Sequence, residues 1–189
     1  YEARVRADTS LAPQGNQDFS IRQPGERAEY FVAEYLWPMV GNESVLGLDI
    51  SAQPTNLAAM QYSRDSGRAV ASAPFDLIQE ETHRQAFVIR VPVFDQVSGS
   101  PEPRFLGAVA STIRVFDLVQ MLGQQGLLRG IAVSMADHGS TRAGAADTTV
   151  RPLLAQSAQP LPGSEPYVRD INVHDRLWRL TFHPAQSFL

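Results

Sequence analysis

Phe87-Val88-Ile89-Arg90-Val91-Pro92-Val93-Phe94 is the stretch whose reading decides the fold. Arg90 is its one charged residue, and aromatic and β-branched side chains dominate the rest, as in a central strand covered on both faces. Alternation places Val88, Arg90 and Pro92 on one face and Phe87, Ile89, Val91 and Val93 on the other. A guanidinium in such surroundings is costly unless it is paired. Arg90 is therefore read in two ways. Either it closes an internal ion pair or escapes at the sheet edge, or it faces a cavity and holds an anionic ligand with its bidentate donors.

Outward from this strand, Arg68–Ser72 before it and Phe105–Arg114 after it read as further strands. The polar stretch Asp95–Arg104 is a hairpin loop, and Leu77–Arg84 a turn or short helix with charged ends. Val115–Gly126 reads as a helix that Asp117 could cap. Pro54 suits a first helical turn and Gly67 a C-terminal cap, which predicts a helix over about 54–65. Further upstream, Ala28–Val40 is rich in aromatic and β-branched residues and reads as β structure, stopped by Pro38 and Gly41-Asn42. Residues 1–24 read as the end of a helix, a loop and a short strand around Phe19–Arg22. Asp49, just before the helix, is read as bonding backbone amides in a turn. Downstream, strands are expected at Ile131–Ala136, Tyr167–Val173 and Leu177–His183, with His138–Pro166 a long loop enclosing one short element. Trp178 is read as a core residue. The expected fold class is α+β, with an antiparallel sheet in each half.

The 189 residues carry a net charge of −4, which argues against a nucleic-acid partner. All 16 basic residues are arginine, and the absence of lysine excludes a Schiff base or P-loop lysine. Cysteine is absent too, which removes disulfides, zinc–thiolate sites and thiol nucleophiles. None of His83, His138, His174 and His183 stands at the spacing of a helical metal pair, and Glu80-Glu81 reads as a solvated turn. No nucleophile elbow, dinucleotide fingerprint or phosphate loop is present. The expectation is a chain without catalytic residues, metal or cofactor. No apolar run approaches the roughly 20 residues that cross a bilayer, and the start lacks the look of a signal peptide. The chain is expected to be a piece of a longer membrane-anchored receptor.

Four segments, in order, resemble the CHASE family, the extracellular sensory domain of histidine kinases and diguanylate cyclases. They are YFVAEYLWPMVGNESVLGLDI (Tyr30–Ile50), AAMQYSRDSGRAVASAPFDLIQE (Ala58–Glu80), FVIRVPVF, and FLGAVASTIRVFDLV (Phe105–Val119). The ending LWRLTFHP (Leu177–Pro184) is similar to the family's last strand, so the resemblance spans residues 1–184. It implies two PAS-like units in tandem after a stalk helix, most of which would be missing here. Residues 1–112 would be the membrane-distal, ligand-binding unit with the end of the stalk, and residues 113–189 the membrane-proximal unit.

In the plant cytokinin receptors, the best-known members, an aspartate in the helix after L-x-D is needed for the adenine-type ligand. That position is Asn56 here. A leucine with a backbone contact to the purine matches Ile78, a threonine matches Arg90, and the threonine before S-P-F matches Ser72. These departures argue against a cytokinin and for a different, carboxylated molecule. The resemblance, together with the residues themselves, gives a candidate pocket of Asn56, Met60, Phe75, Ile78, Arg90, Gly107, Ala108 and Ala110. The expected function is a periplasmic or extracellular input domain of a transmembrane histidine kinase or diguanylate cyclase. Its partners would be a carboxylated or purine-like small molecule, a second copy in the full-length receptor, and the membrane through flanking helices. The alternative is a periplasmic protein-interaction module with a vestigial pocket.

Overall fold

The computed structural model of the chain describes residues 1–10, 13–23, 25–76, 85–95, 103–145, 147–154 and 156–186. It is α+β, with few helices and two antiparallel sheets in tandem. The chain divides into two compact units, Tyr1–Ala58 and Ala59–Leu189, of which the second contains both sheets.

The first unit opens with helix α1 (Glu2–Ala7), in which Glu2 and Arg6 pair at 3.0 Å one turn apart. Val5 and Phe19 are buried in this unit. Neither Phe19–Arg22 nor Ala28–Val40 forms the expected strand. Ala28–Val40 instead lies against residues 47–50 through an isolated bridge, Val32 to Asp49, and bonds such as Ala33 N–H to Leu48 O at 2.9 Å. Its aromatic content does not come from sheet packing, because Trp37 is 96% exposed and Tyr30 and Tyr35 are exposed as well. Asp49 does what the sequence reading gave it. Its fully buried carboxylate accepts the amides of Phe31 (3.1 Å) and Ser51 (3.0 Å) and pairs with Arg27 at 3.1 Å.

Helix α2 (Pro54–Ser66) runs as its end signals foretell: Pro54 occupies the first position, and Gly67 leaves with φ +66°. Strands β1 (Val70–Ala71), β2 (Phe75–Asp76), β3 (Gln85–Asp95) and β4 (Arg104–Arg114) make the first sheet, with β3 pairing all three others antiparallel. The strand β2 was not foreseen. Coverage of β3 on both faces holds only for its beginning, where Ala86, Phe87 and Val88 are buried; Val91 and Val93 are exposed. Of the expected loop Asp95–Arg104, Asp95 closes β3 and Arg104 opens β4, while 96–102 and the turn at 77–84 lie outside the described residues.

Helix α3 (Val115–Gln124) follows β4 directly and buries Val115 and Val119, four residues apart on one face. Arg114 occupies its N-cap without a side-chain cap bond. Asp117 does not cap it and instead pairs with Arg114 at 3.7 Å. The second sheet has the order β6-β5-β8-β7, from β5 (Ile131–Ser140), β6 (Arg151–Leu154), β7 (Tyr167–Val173) and β8 (Arg176–Pro184). The strand β6 is the short element expected inside the long loop. Strand β5 runs past Ala136 to Ser140 because its buried alternation, Val133, Met135, Asp137 and Gly139, continues with polar members. One apolar cluster joins the two sheets. It contains Ala71 and Phe87 from the first, Val115 and Val119 from α3, and Val133, Met135, Leu153 and Trp178 from the second. The Trp178 ring meets Phe87 edge-on at 4.6 Å, so Trp178 is a core residue as read.

Candidate functional site

In an antiparallel pair, residues directly opposite one another project from the same face. Arg90 is opposite Val70 on β1 and Ala110 on β4, while Pro92 is opposite Ala108. Phe75 is opposite Ala86, which shares Arg90's parity on β3. The sheet thus gathers Phe75, Arg90, Ala108 and Ala110 on one face, together with Val70, Val88 and Thr112. Gly107 does not belong with them. It lies opposite Val93, so its position falls on the other face, next to a bulge in which Leu106 is the extra residue.

Among the described residues that share this face with Arg90, Val70, Phe75, Val88, Ala108 and Ala110 are small or apolar, and Arg114, opposite Ala86, adds a second guanidinium at the far end of β4. Arg90 is 3% exposed. Burial disfavours its charged form and pushes its pKa down to about 10, which leaves it a cation at neutral pH. Its two flanks differ. Val70 on the β1 side is fully buried, whereas Ala110 and Thr112 on the β4 side are exposed. The buried cation therefore stands where the covered half of the face gives way to the open half.

Ser72 continues β1 beyond its two ladder residues. Its amide donates to Val88 O at 2.9 Å and its hydroxyl accepts the Val88 amide at 3.0 Å. That hydroxyl also donates to Ala73 O at 2.9 Å, so Ser72 serves the backbone. Met60 is buried in α2. Asn56 belongs to the first compact unit, where it is 2% exposed and its amide donates to the side-chain oxygen of Gln53. Ile78 lies outside the described residues.

Sequence reading missed a second polar assembly. Arg176 at the start of β8 is 2% exposed and bonds the fully buried Asp137 of β5 through Nε (3.1 and 3.0 Å) and Nη2 (2.5 Å). It also reaches Asp147 at 2.9 Å, which Arg151 pairs at 2.8 Å. Burial works to raise the Asp147 pKa, but hydrogen bonds from Arg151 and Arg176, and their charges, outweigh it and hold the carboxyl below the ordinary 3.8. Asp137 and Arg176 are 39 positions apart, and the one available signal was a carboxylate falling on the buried parity of β5. Arg176 and Arg151 both pair with carboxylates of the same chain, which makes the assembly structural. Among the described residues there is no cluster of histidine and carboxylate side chains able to hold a metal ion.

The family model described as "CHASE domain" matches residues 1–147. The chain belongs to the CHASE domain family. A CHASE domain is an extracellular sensory module of receptors and is not itself catalytic. The match covers the first sheet, α3 and β5, including every position of the Arg90 face, and ends before β6, β7 and β8. No curated protein matches the chain. Within this CHASE domain, no helix of the described residues is long and apolar enough to cross a membrane.

Proposed function

We propose that this CHASE domain senses a small anionic molecule through the Arg90 face of its first sheet, as the extracytoplasmic input of a transmembrane histidine kinase or diguanylate cyclase. Residues 1–112 would carry the membrane-distal, ligand-binding part and residues 113–189 the membrane-proximal part, two PAS-like halves that pair with a second copy in the whole receptor. The observation that carries this reading is Arg90 itself: a cation 3% exposed, on a strand face whose β4 side lies open at Ala110 and Thr112. A planar fork of donors at such a border binds a carboxylate by two parallel hydrogen bonds, strengthened by low local polarity. Small side chains at Ala108 and Ala110 leave room beside it. Met60, Phe75 and Ile78 complete the proposed ligand-binding set.

The test is a thermal-shift and calorimetric screen of the chain against mono- and dicarboxylates, with purines as the contrast. A ligand at 100 times its dissociation constant raises stability by about 2.7 kcal/mol, a shift of several degrees. A carboxylate hit that disappears in Arg90→Met, with the fold retained, supports the reading. A purine hit indifferent to Arg90 sinks it.

A second reading, a protein-interaction module with a vestigial pocket, draws on the opposite face of the β3–β4 hairpin. Val91, Val93, Leu106 and Val109 are all exposed there, an apolar patch of the kind that marks protein contacts. Silence across the ligand screen, with capture of a periplasmic protein by the intact receptor, would favour it.

A further inference from the structure

A cleft of ≈330 Å³ lies between α3 and the second sheet, with Phe87, Val119, Leu122, Val133, Trp178 and Leu180 among its walls. It stands apart from the Arg90 face in chemistry, because the surface its walls present is apolar, the indole N–H of Trp178 being buried behind it. By alternation, Phe87 projects from the face of β3 opposite to Arg90. The volume falls at the lower end of the roughly 300–1,000 Å³ typical of small-molecule sites and far exceeds the voids of an ordinary core. Ile171 of β7 lines it and is 37% exposed, so the cleft reaches the surface at the edge of the sheet. Trp178, 3% exposed, belongs to its buried end.

We propose that this cleft is a second binding site, for an uncharged apolar molecule of one or two rings or a short hydrocarbon chain. The lining decides the class. A charged or strongly hydrogen-bonding group would lose its water and find no partner among these walls. Water in it finds no polar partner on the walls either, whereas apolar cavities take up small hydrocarbons. The site draws on both halves of the core, with Phe87 from the first sheet, Leu128 from the turn after α3, and the rest from α3 and the second sheet. Its occupancy therefore stiffens the packing through which the two sheets meet. Nothing in this proposal depends on what Arg90 binds.

The experiment uses the chain with Trp37→Phe, which leaves Trp178 as its only tryptophan. N-phenyl-1-naphthylamine serves as an uncharged apolar probe. Its fluorescence should rise saturably with one probe per chain while Trp178 emission falls in step by energy transfer. Leu122→Phe combined with Leu180→Phe, two half-buried positions on opposite walls, should fill the cleft and weaken uptake by roughly tenfold or more. Three results would each overturn the site: no saturable uptake, saturable uptake that leaves Trp178 emission untouched, or unchanged affinity in the folded double variant. Should that variant fail to fold, the Trp178 emission of the unfilled protein still decides the matter.

Discussion

The carboxylate of Asp175, in the turn between β7 and β8, accepts the backbone amide of Ala71 at 3.0 Å across 104 positions of sequence. Ala71 lies in β1, an edge strand of the first sheet, and residues alternate in which side of the strand their amides serve. Asp175 thus supplies the acceptor for an edge amide that no strand of the described residues reaches. Its other oxygen pairs with Arg142 Nε at 3.0 Å, and the Arg142 guanidinium lies 4.4 Å from the centre of the Tyr62 ring in α2. One carboxylate joins the turn of the second sheet to the edge of the first.

Asp175→Ala is expected to lower stability by about 1–3 kcal/mol, because it leaves the Ala71 amide without its acceptor and Arg142 with only the Ser140 hydroxyl in place of its carboxylate. Asp175→Asn keeps an oxygen for the amide and should cost less. Urea denaturation of the two variants gives the comparison, and an equal loss in both would mean that the charge on Arg142, and not the amide, is what Asp175 serves.

The pair Asp137–Arg176 predicts a different pattern. Removing one partner strands a buried charge, so Arg176→Met alone should cost about 3–5 kcal/mol. Asp137→Leu combined with Arg176→Met removes both charges and should recover much of that loss. A double-mutant cycle by thermal or urea unfolding measures the difference. Simple additivity of the two single losses would refute the coupling.

Acid should find the same assembly through Asp147. Its folded pKa lies below the ordinary 3.8, so it binds protons less readily folded than unfolded. The stability it contributes is present above the unfolded value and lost as pH falls through the folded one. Asp147→Asn removes this contribution, and its unfolding free energy should therefore fall less steeply between neutral pH and pH 2 than that of the parent. Parallel curves would show that other carboxylates carry the acid response.

Two glycines of positive φ separate conformational strain from collision. Gly67 ends α2 at φ +66° with nothing within 4 Å of an added Cβ, so Gly67→Ala should cost about 1 kcal/mol from backbone strain alone. Gly139 in β5 has φ +92°, and an added Cβ would fall 2.4 Å from Asp147 O and 2.8 Å from Thr148 Cα. Gly139→Ala must therefore displace main chain beside the Asp147 pair and should cost more than about 3 kcal/mol. Chemical denaturation midpoints test the order of the two.

The sheets were legible where periodicity and end signals agree. Strand β4, helix α3 and the β7–β8 hairpin follow apolar patterning bounded by charge or glycine, and α2 follows from Pro54 and Gly67. The 28–40 segment misled because aromatic and β-branched residues favour strands only when a ladder partner exists. Here the partners at 47–50 offer a few scattered bonds and the rings of Tyr35 and Trp37 face solvent. At the candidate site, Arg90 announced itself as the one charge in an apolar strand. The assignment of Gly107 failed because a strand lends only alternate positions to a face. Asp137 and Arg176 stayed hidden, since each looks like an ordinary hydrophilic residue until the β5–β8 register brings them together.

The shared core has a consequence for how the chain can be cut. The family-model match ends at residue 147, yet Val133 and Met135 of β5 cluster with Leu153 of β6 and Trp178 of β8. A fragment trimmed to the matched region would leave β5 as a lone ladder with neither neighbour, its apolar side open to water. The stretch matched to the family is thus shorter than the stretch that closes the core, and the strands after residue 147 act as the lid on an apolar cluster that includes Ala71.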